Sequence, residues 1–209
     1  MAEFDGFSTA ALDFYEDLEN DNSKAFWTAN KEIYDREVKT PMLALVDTLS
    51  AEFGKGKVFR PYRDVRFSKD KTPYKTHQGA YVATAPAAGY YVQIDAPGLL
   101  VGAGWYDATA ERKGLFRSAV DTDPAGAELL AILADAEESG FEVGGDRVKT
   151  APRGWSVEHP RIELLRHNTL SLTRRYVSPS WLDTSETLER VRTDWRAVTP
   201  LLDWLRHYC

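Results

Sequence analysis

A chain of 209 residues, 43% hydrophobic and 12% aromatic, carries enough apolar surface to bury a substantial core as one domain or two closely packed lobes. Its formal charge of −6 excludes wholesale wrapping by nucleic acid, since most of the surface repels phosphate, although a local grip on a single nucleotide stays open. The one cysteine, Cys209, excludes an intrachain disulfide framework and any multi-cysteine metal cage. No apolar run of about eighteen residues marks a membrane span. The acidic N-terminus is unlike a secretory signal, so a cytoplasmic setting is expected.

Three helices are predicted in the first quarter. The first starts at Ser8 or Thr9 and repeats Ala11, Phe14, Tyr15 and Leu18 on one face. The second covers roughly residues 24 to 38. Thr40-Pro41 then reads as a cap with proline at the first helical position, opening a third helix with Met42, Leu45, Val46, Leu49 and Phe53 inside and Gly54 at its end. Extended segments follow at 61–68, 79–85, 90–96 and 98–106. Their short separations imply antiparallel neighbours, because a parallel return needs a dozen or more connecting residues.

Residues 108 to 138 return to helical spacing, split near Asp121-Thr122-Asp123-Pro124. Gly144-Gly145 between short arms at 141–148 predicts a hairpin, and 169–177 alternates as a strand. A final amphipathic helix carries Leu188, Val191, Trp195, Val198, Leu202 and Leu205. Asp183 with Glu186 is its expected capping box, and Pro200 is expected to bend or restart it. These elements describe an α+β protein, a largely antiparallel sheet flanked by helices, helical over 1–54 and mixed over 55–209. No repeat or linker divides the chain, so a single domain is expected.

The most informative stretch is residues 60 to 75. Over residues 55 to 75, eight Lys or Arg face only Asp64 and Asp70, a local balance of +6 that leaves −12 on the remainder. Clustered guanidinium and ammonium groups focus potential, and arginine can hold carboxylate or phosphate through two parallel hydrogen bonds. Strand alternation places Arg63 on the apolar face with Pro61, Val65 and Phe67, so it needs either an internal carboxylate or a cleft. Residues 69–73 read as a turn. The opposing reading is internal neutralisation, since residues 1 to 23 hold seven acidic residues and no basic one.

Arg60, Arg63-Asp64, Arg66-Phe67, Asp70-Lys71 and Tyr74 match the RxxRDxRF…DKxxY signature of an uncharacterised protein family, domain of unknown function 2461, which the chain resembles. The resemblance extends to Phe4-Asp5-Gly6-Phe7, Asn30-Lys31, Tyr34, Pro41, Pro152, His159-Pro160 and Leu164-Leu165. The loop at Asn20-Asp21-Asn22-Ser23 departs from it in being more acidic than the usual asparagine-rich turn. The resemblance implies a compact domain of this size and no assigned activity.

From the residues themselves, the first expectation is a site for a small anionic metabolite bearing phosphate or carboxylate. Arg60, Arg63, Arg66, Lys71, Tyr74 and Lys75 hold it, Arg153 and His159 complete it from a later loop, and Asp64 and Asp70 orient the cations. The second is a structural or protein-interaction module in which the charged motif is an internal ion-pair network. A third is an enzyme on nucleotides or phosphoesters with Asp64, Asp70 or His159 as proton carrier, and Tyr74, His77 and Lys71 as further acid–base candidates. His159 equally suits capping the helix that begins near Arg161. Gly102-Ala103-Gly104 lacks the third glycine of a phosphate loop and reads as strand, with Arg112 and Arg117 on the next helix free to lean toward the same cleft. The four histidines show no ligand spacing, so no metal and no cofactor are expected.

Overall fold

The computed structural model describes residues 4–66, 69–106 and 109–209. The alternation expected at Phe67 and Ser68 and the helix start expected at residue 108 lie outside them. The six strands among these residues form one antiparallel sheet: β1 Gly56–Val58, β2 His77–Ala85, β3 Ala88–Asp95, β4 Gly98–Trp105, β5 Glu142–Gly144 and β6 Leu170–Val177, in the order β1-β2-β3-β4-β6-β5. With its N-terminal helices and long C-terminal helix the protein is α+β, as the patterning implies. No helix among the described residues is long and apolar enough to cross a membrane. The chain divides into two compact units. The first takes residues up to Val82, Tyr91–Val101 and Arg175–Thr193; the second takes Ala83–Tyr90, Gly102–Arg174 and Asp194–Cys209.

In the first unit, α1 (Thr9–Asn20) buries Ala11, Phe14, Tyr15 and Leu18, the face its spacing marks. Ser8 holds the N-cap position, yet its hydroxyl donates to Glu37 Oε2 at 2.6 Å. α2 (Lys24–Ile33) starts at Ser23, whose hydroxyl accepts from the Phe26 amide. The break expected at Thr40-Pro41 is absent. Tyr34–Lys39 forms a π-helical turn that runs directly into α3 (Thr40–Phe53), with Thr40 itself in helical conformation. Proline has no N–H to donate, and the wide turn supplies a different pattern there: the Thr40 amide donates to the Asp35 carbonyl five residues back.

Ala80, Val82, Val92, Ile94, Leu99 and Val101 are buried within this unit. Polar residues share that interior, Gln78 among them. Gln78 accepts from the Tyr34 hydroxyl at 2.6 Å and donates to the carbonyls of Phe59, at 2.8 Å, and Gly79, at 2.9 Å. A buried amide is tolerated only when satisfied in this way, and the satisfaction ties the π turn to the start of the charged segment. The alternate residues His77, Tyr81, Tyr91 and Gln93 are half-buried, and Gly79 leaves its space to the Tyr91 ring.

The second unit is built on aromatic packing, with Trp105 against Phe116 at 5.3 Å, Phe116 edge-on to Trp204, and Tyr90 stacked on Trp195. The Trp204 indole donates to the Ala125 carbonyl at the head of α5 (Ala125–Glu138), which follows α4 (Ala110–Asp121). The hairpin expected at Gly144-Gly145 does not form. β5 pairs with β6 instead, because a side chain at Gly145 would strike the Thr169 carbonyl, and the onward chain bonds across to residues 166–169. α6 is the short turn Ile162–Leu165, and α7 runs as one element over Glu186–Tyr208 straight through Pro200. The capping box expected from Asp183 is replaced by Thr184, whose hydroxyl accepts from the Glu186 amide.

Gln78→Ala should lower stability by about 2–4 kcal/mol in urea unfolding, because it strands the Tyr34 hydroxyl and a backbone carbonyl. Tyr34→Phe, which strands less, should cost about 1 kcal/mol.

Candidate functional site

The signature segment is not the strand that its alternation suggests. Among the described residues only Tyr62 bridges to Tyr74, with the Arg63 amide donating to the Pro73 carbonyl and the Lys75 amide to that of Pro61. Pro61 and Pro73 remove two donors from any longer ladder, and the intervening charges fold onto one another. Arg63 pairs with Asp70 and Thr72, Asp70 accepts from the Thr72 amide at 2.9 Å, and Lys71 donates to the Val65 carbonyl at 2.9 Å. Arg66 grips Asp64 with Nε at 2.9 Å and Nη2 at 2.6 Å. Arg63 therefore has no place on an apolar face: its side chain is 39% exposed and its carboxylate is local. Arg66 holds the Asp64 carboxyl below its ordinary range, and the Thr72 amide does the same for Asp70.

Tyr74 is the anchor. It is buried and stacks flat on Trp27, ring centroids 4.2 Å apart and planes 7° from parallel. Asn22 clamps its backbone in both directions, accepting from the Tyr74 amide at 3.1 Å and donating to its carbonyl at 3.0 Å. The departure of the 20–23 loop from the familiar asparagine-rich turn thus leaves intact the one asparagine that reaches the signature.

From Tyr74 the chain enters β2 through Lys75 and His77, where a second group of polar residues is assembled. Tyr91 donates to Gln93 at 2.6 Å, Gln93 to Asp95 at 2.6 Å, and Arg175 reaches the other Asp95 oxygen at 2.6 Å. This is a continuous run of hydrogen bonds across β3 to β6 within the first unit. Burial, with Asp95 nearby, pushes the Tyr91 hydroxyl up to about 12. Lys75 lies over the Phe59 ring at 5.2 Å, and burial together with Arg60 draws its ammonium below the usual range. His77 is pushed down by burial first, then by the positive charges of Lys75, Arg63 and Arg175, which Asp95 opposes. Among the described residues, neither Arg60, Lys75 nor His77 has a carboxylate partner.

The remaining candidates belong to the second unit and are occupied there or solvent-facing. His159 bonds Asp121 through Nε2 at 2.9 Å and accepts the Arg161 amide at Nδ1, which makes it the turn-forming cap before α6. Arg153 is exposed. Arg112 donates to the Pro86 carbonyl at 2.9 Å and Arg117 to the Leu165 carbonyl at 2.9 Å, so neither leans into a cleft. A side chain at Gly102 or Gly104 would strike the backbone of β6, the close strand approach that the glycine pair suggests.

Asn22, Tyr91, Gln93, Asp95 and Arg175 are the residues that sequence reasoning missed. Period-2 alternation in β3 puts Tyr91, Gln93 and Asp95 on one side. Nothing in the chain linked them to Arg175, eighty residues later. A family model described as conserved hypothetical protein (DUF2461) matches residues 10–204. No curated protein matches.

The low His77 value has a pH signature. In the folded state the imidazole takes its proton at lower pH than in the unfolded chain, where it titrates near about 6.5. The unfolded state therefore binds more protons below that point, and stability falls as the pH drops from about 6.5 toward the folded value. Replacing His77 with Gln should flatten this part of the pH–stability curve, while His167, also depressed by burial, keeps its own share. A slope unchanged in H77Q would remove the argument.

Proposed function

The chain belongs to the DUF2461 family, and from that premise we propose that it binds a small anionic ligand, one bearing phosphate or carboxylate, where the signature loop meets β2. The observation that carries this reading is the cluster of Arg60, Lys75 and the titratable His77, none of which is held in an ion pair among the described residues. Burial first, and neighbouring cations after it, draw Lys75 and His77 below their usual ranges. An anion among these groups offsets the repulsion between them and favours their protonated forms. Arg63 and Arg175, already paired, add field without needing to turn from their carboxylates. Arg66 and Lys71 hold the loop in shape through Asp64 and the Val65 carbonyl, and Tyr74 fixes where the loop sits. Arg153 has no part in this reading.

The exposure of the Arg63–Asp70 and Arg66–Asp64 pairs speaks against the motif as a buried keystone, since exposed pairs add little to stability. If the site turns a phosphoester over, the proton carrier that fits is His77. Its imidazole is kept neutral near neutral pH, whereas Asp64, Asp70 and His159 are committed to structural bonds.

Calorimetric titration at low ionic strength with inorganic phosphate and pyrophosphate should show saturable binding that is lost in Lys75→Gln and weakened in Arg60→Gln. Arg63→Ala should weaken it with little change in melting temperature. Absence of saturable binding to the intact protein, or unfolding of Arg63→Ala, would reject the reading.

A further inference from the structure

A cavity of the first unit includes Phe59 in its wall. It is a groove of ≈ 310 Å³ bounded by α2, the π turn and α3 on one side and by residues 58–62 on the other. Trp27, Tyr34 and Phe59 line its interior, with Leu43 and Tyr62 beside them. Two of these large side chains stay open to solvent, Leu43 at 47% and Tyr62 at 49%. The lining is preformed: Trp27 is fixed by its stack on Tyr74, and Tyr34 by its hydrogen bond to Gln78. Around it stand Lys31, Lys39, Arg60 and Asp35. Asp35 pairs with both lysines, at 3.8 Å in the case of Lys39, so two cations share one carboxylate and Arg60 stands beside them. π turns concentrate at functional sites because the wider helix reorients side chains at a cost in backbone hydrogen bonding. Here the π turn supplies Tyr34, Asp35 and Lys39 to the groove.

We propose that this groove is a binding site for a small planar aromatic anion, one or two fused rings carrying a carboxylate or phosphate. The aromatic lining suits a flat ring, which stacks against the open Tyr62 face. The surplus of positive charge suits an anionic substituent, with Arg60, which has no described partner, as its nearest unengaged guanidinium. The volume stands at the low end of small-ligand pockets, which favours a compact ring system over a peptide segment. The inference does not depend on phosphate binding at Lys75 and His77. The two sites share only Arg60, which lines this groove and perturbs Lys75.

The test uses the full chain with naphthalene-2-carboxylate as probe, titrated by calorimetry and ligand-observed NMR, and with naphthalene-2-carboxamide and cyclohexanecarboxylate as controls. The carboxylate should bind saturably, and both the uncharged amide and the non-aromatic acid should bind about tenfold more weakly. Tyr62→Ser should weaken the probe by about tenfold and Lys39→Gln by about threefold. Both side chains are exposed, so thermal melts should stay near the parent, and Leu43→Ser provides a second variant of the lining should Tyr62→Ser fail to fold. Lys75→Gln should leave probe binding unchanged while abolishing that of phosphate, which separates the two sites. The proposal is overturned by no saturable binding, by equal affinity for the amide, by unchanged affinity in the folded lining variants, or by loss of the probe in Lys75→Gln.

Discussion

The flat contact between Trp27 and Tyr74 is the joint on which the working part of the first unit depends. Without it the segment from Arg60 to Lys75 is a loop of charged residues with a single bridge and no ladder to hold it. The stack fixes one end of that loop against α2, and Asn22 fixes the same residue through its backbone. Gln78 then ties the next turn of the scaffold, through Tyr34, to the Phe59 carbonyl at the loop's other end. Five side chains, three aromatic and two amide, thus convert a stretch that local propensity leaves undetermined into a defined surface.

Within that surface the charges fall into two populations. Arg63, Arg66 and Lys71 are consumed internally by Asp70, Asp64 and a carbonyl, and so shape the loop. Arg60, Lys75 and His77 have no such pairing among the described residues, and burial, followed by neighbouring cations, makes protonation of the latter two harder. The distinction between the two readings of the motif, a network or a site, therefore becomes a division of labour within it.

Much of the fold was legible because it follows periodicity. The buried faces of α1 and α3, the antiparallel sheet and the close approach at Gly102 all come from spacing and residue size. What alternation could not reveal was that Pro61 and Pro73 would leave a single bridge, or that Gly145 would send its arm to β6 rather than back on itself. The candidate site was half visible. Its cations were evident from charge density, but which of them were already taken depended on contacts two to nine residues apart in a folded loop. Asp95 and Arg175 meet because the sheet order sets β3 and β6 on either side of β4, and no local pattern encodes that pairing.

The π turn also changes how the first half of the chain should be read. Each residue in an ordinary helix advances by about 100° around the axis, whereas the wider turn between Ile33 and Thr40 advances less and so offsets the angular phase of everything after it. A single rod, unbroken by any loop, can then aim Trp27 and Met42 by two independent settings. Loss of one residue from this turn would rotate one half of the rod against the other and close the gap between them, so its length is under a constraint that its composition does not reveal.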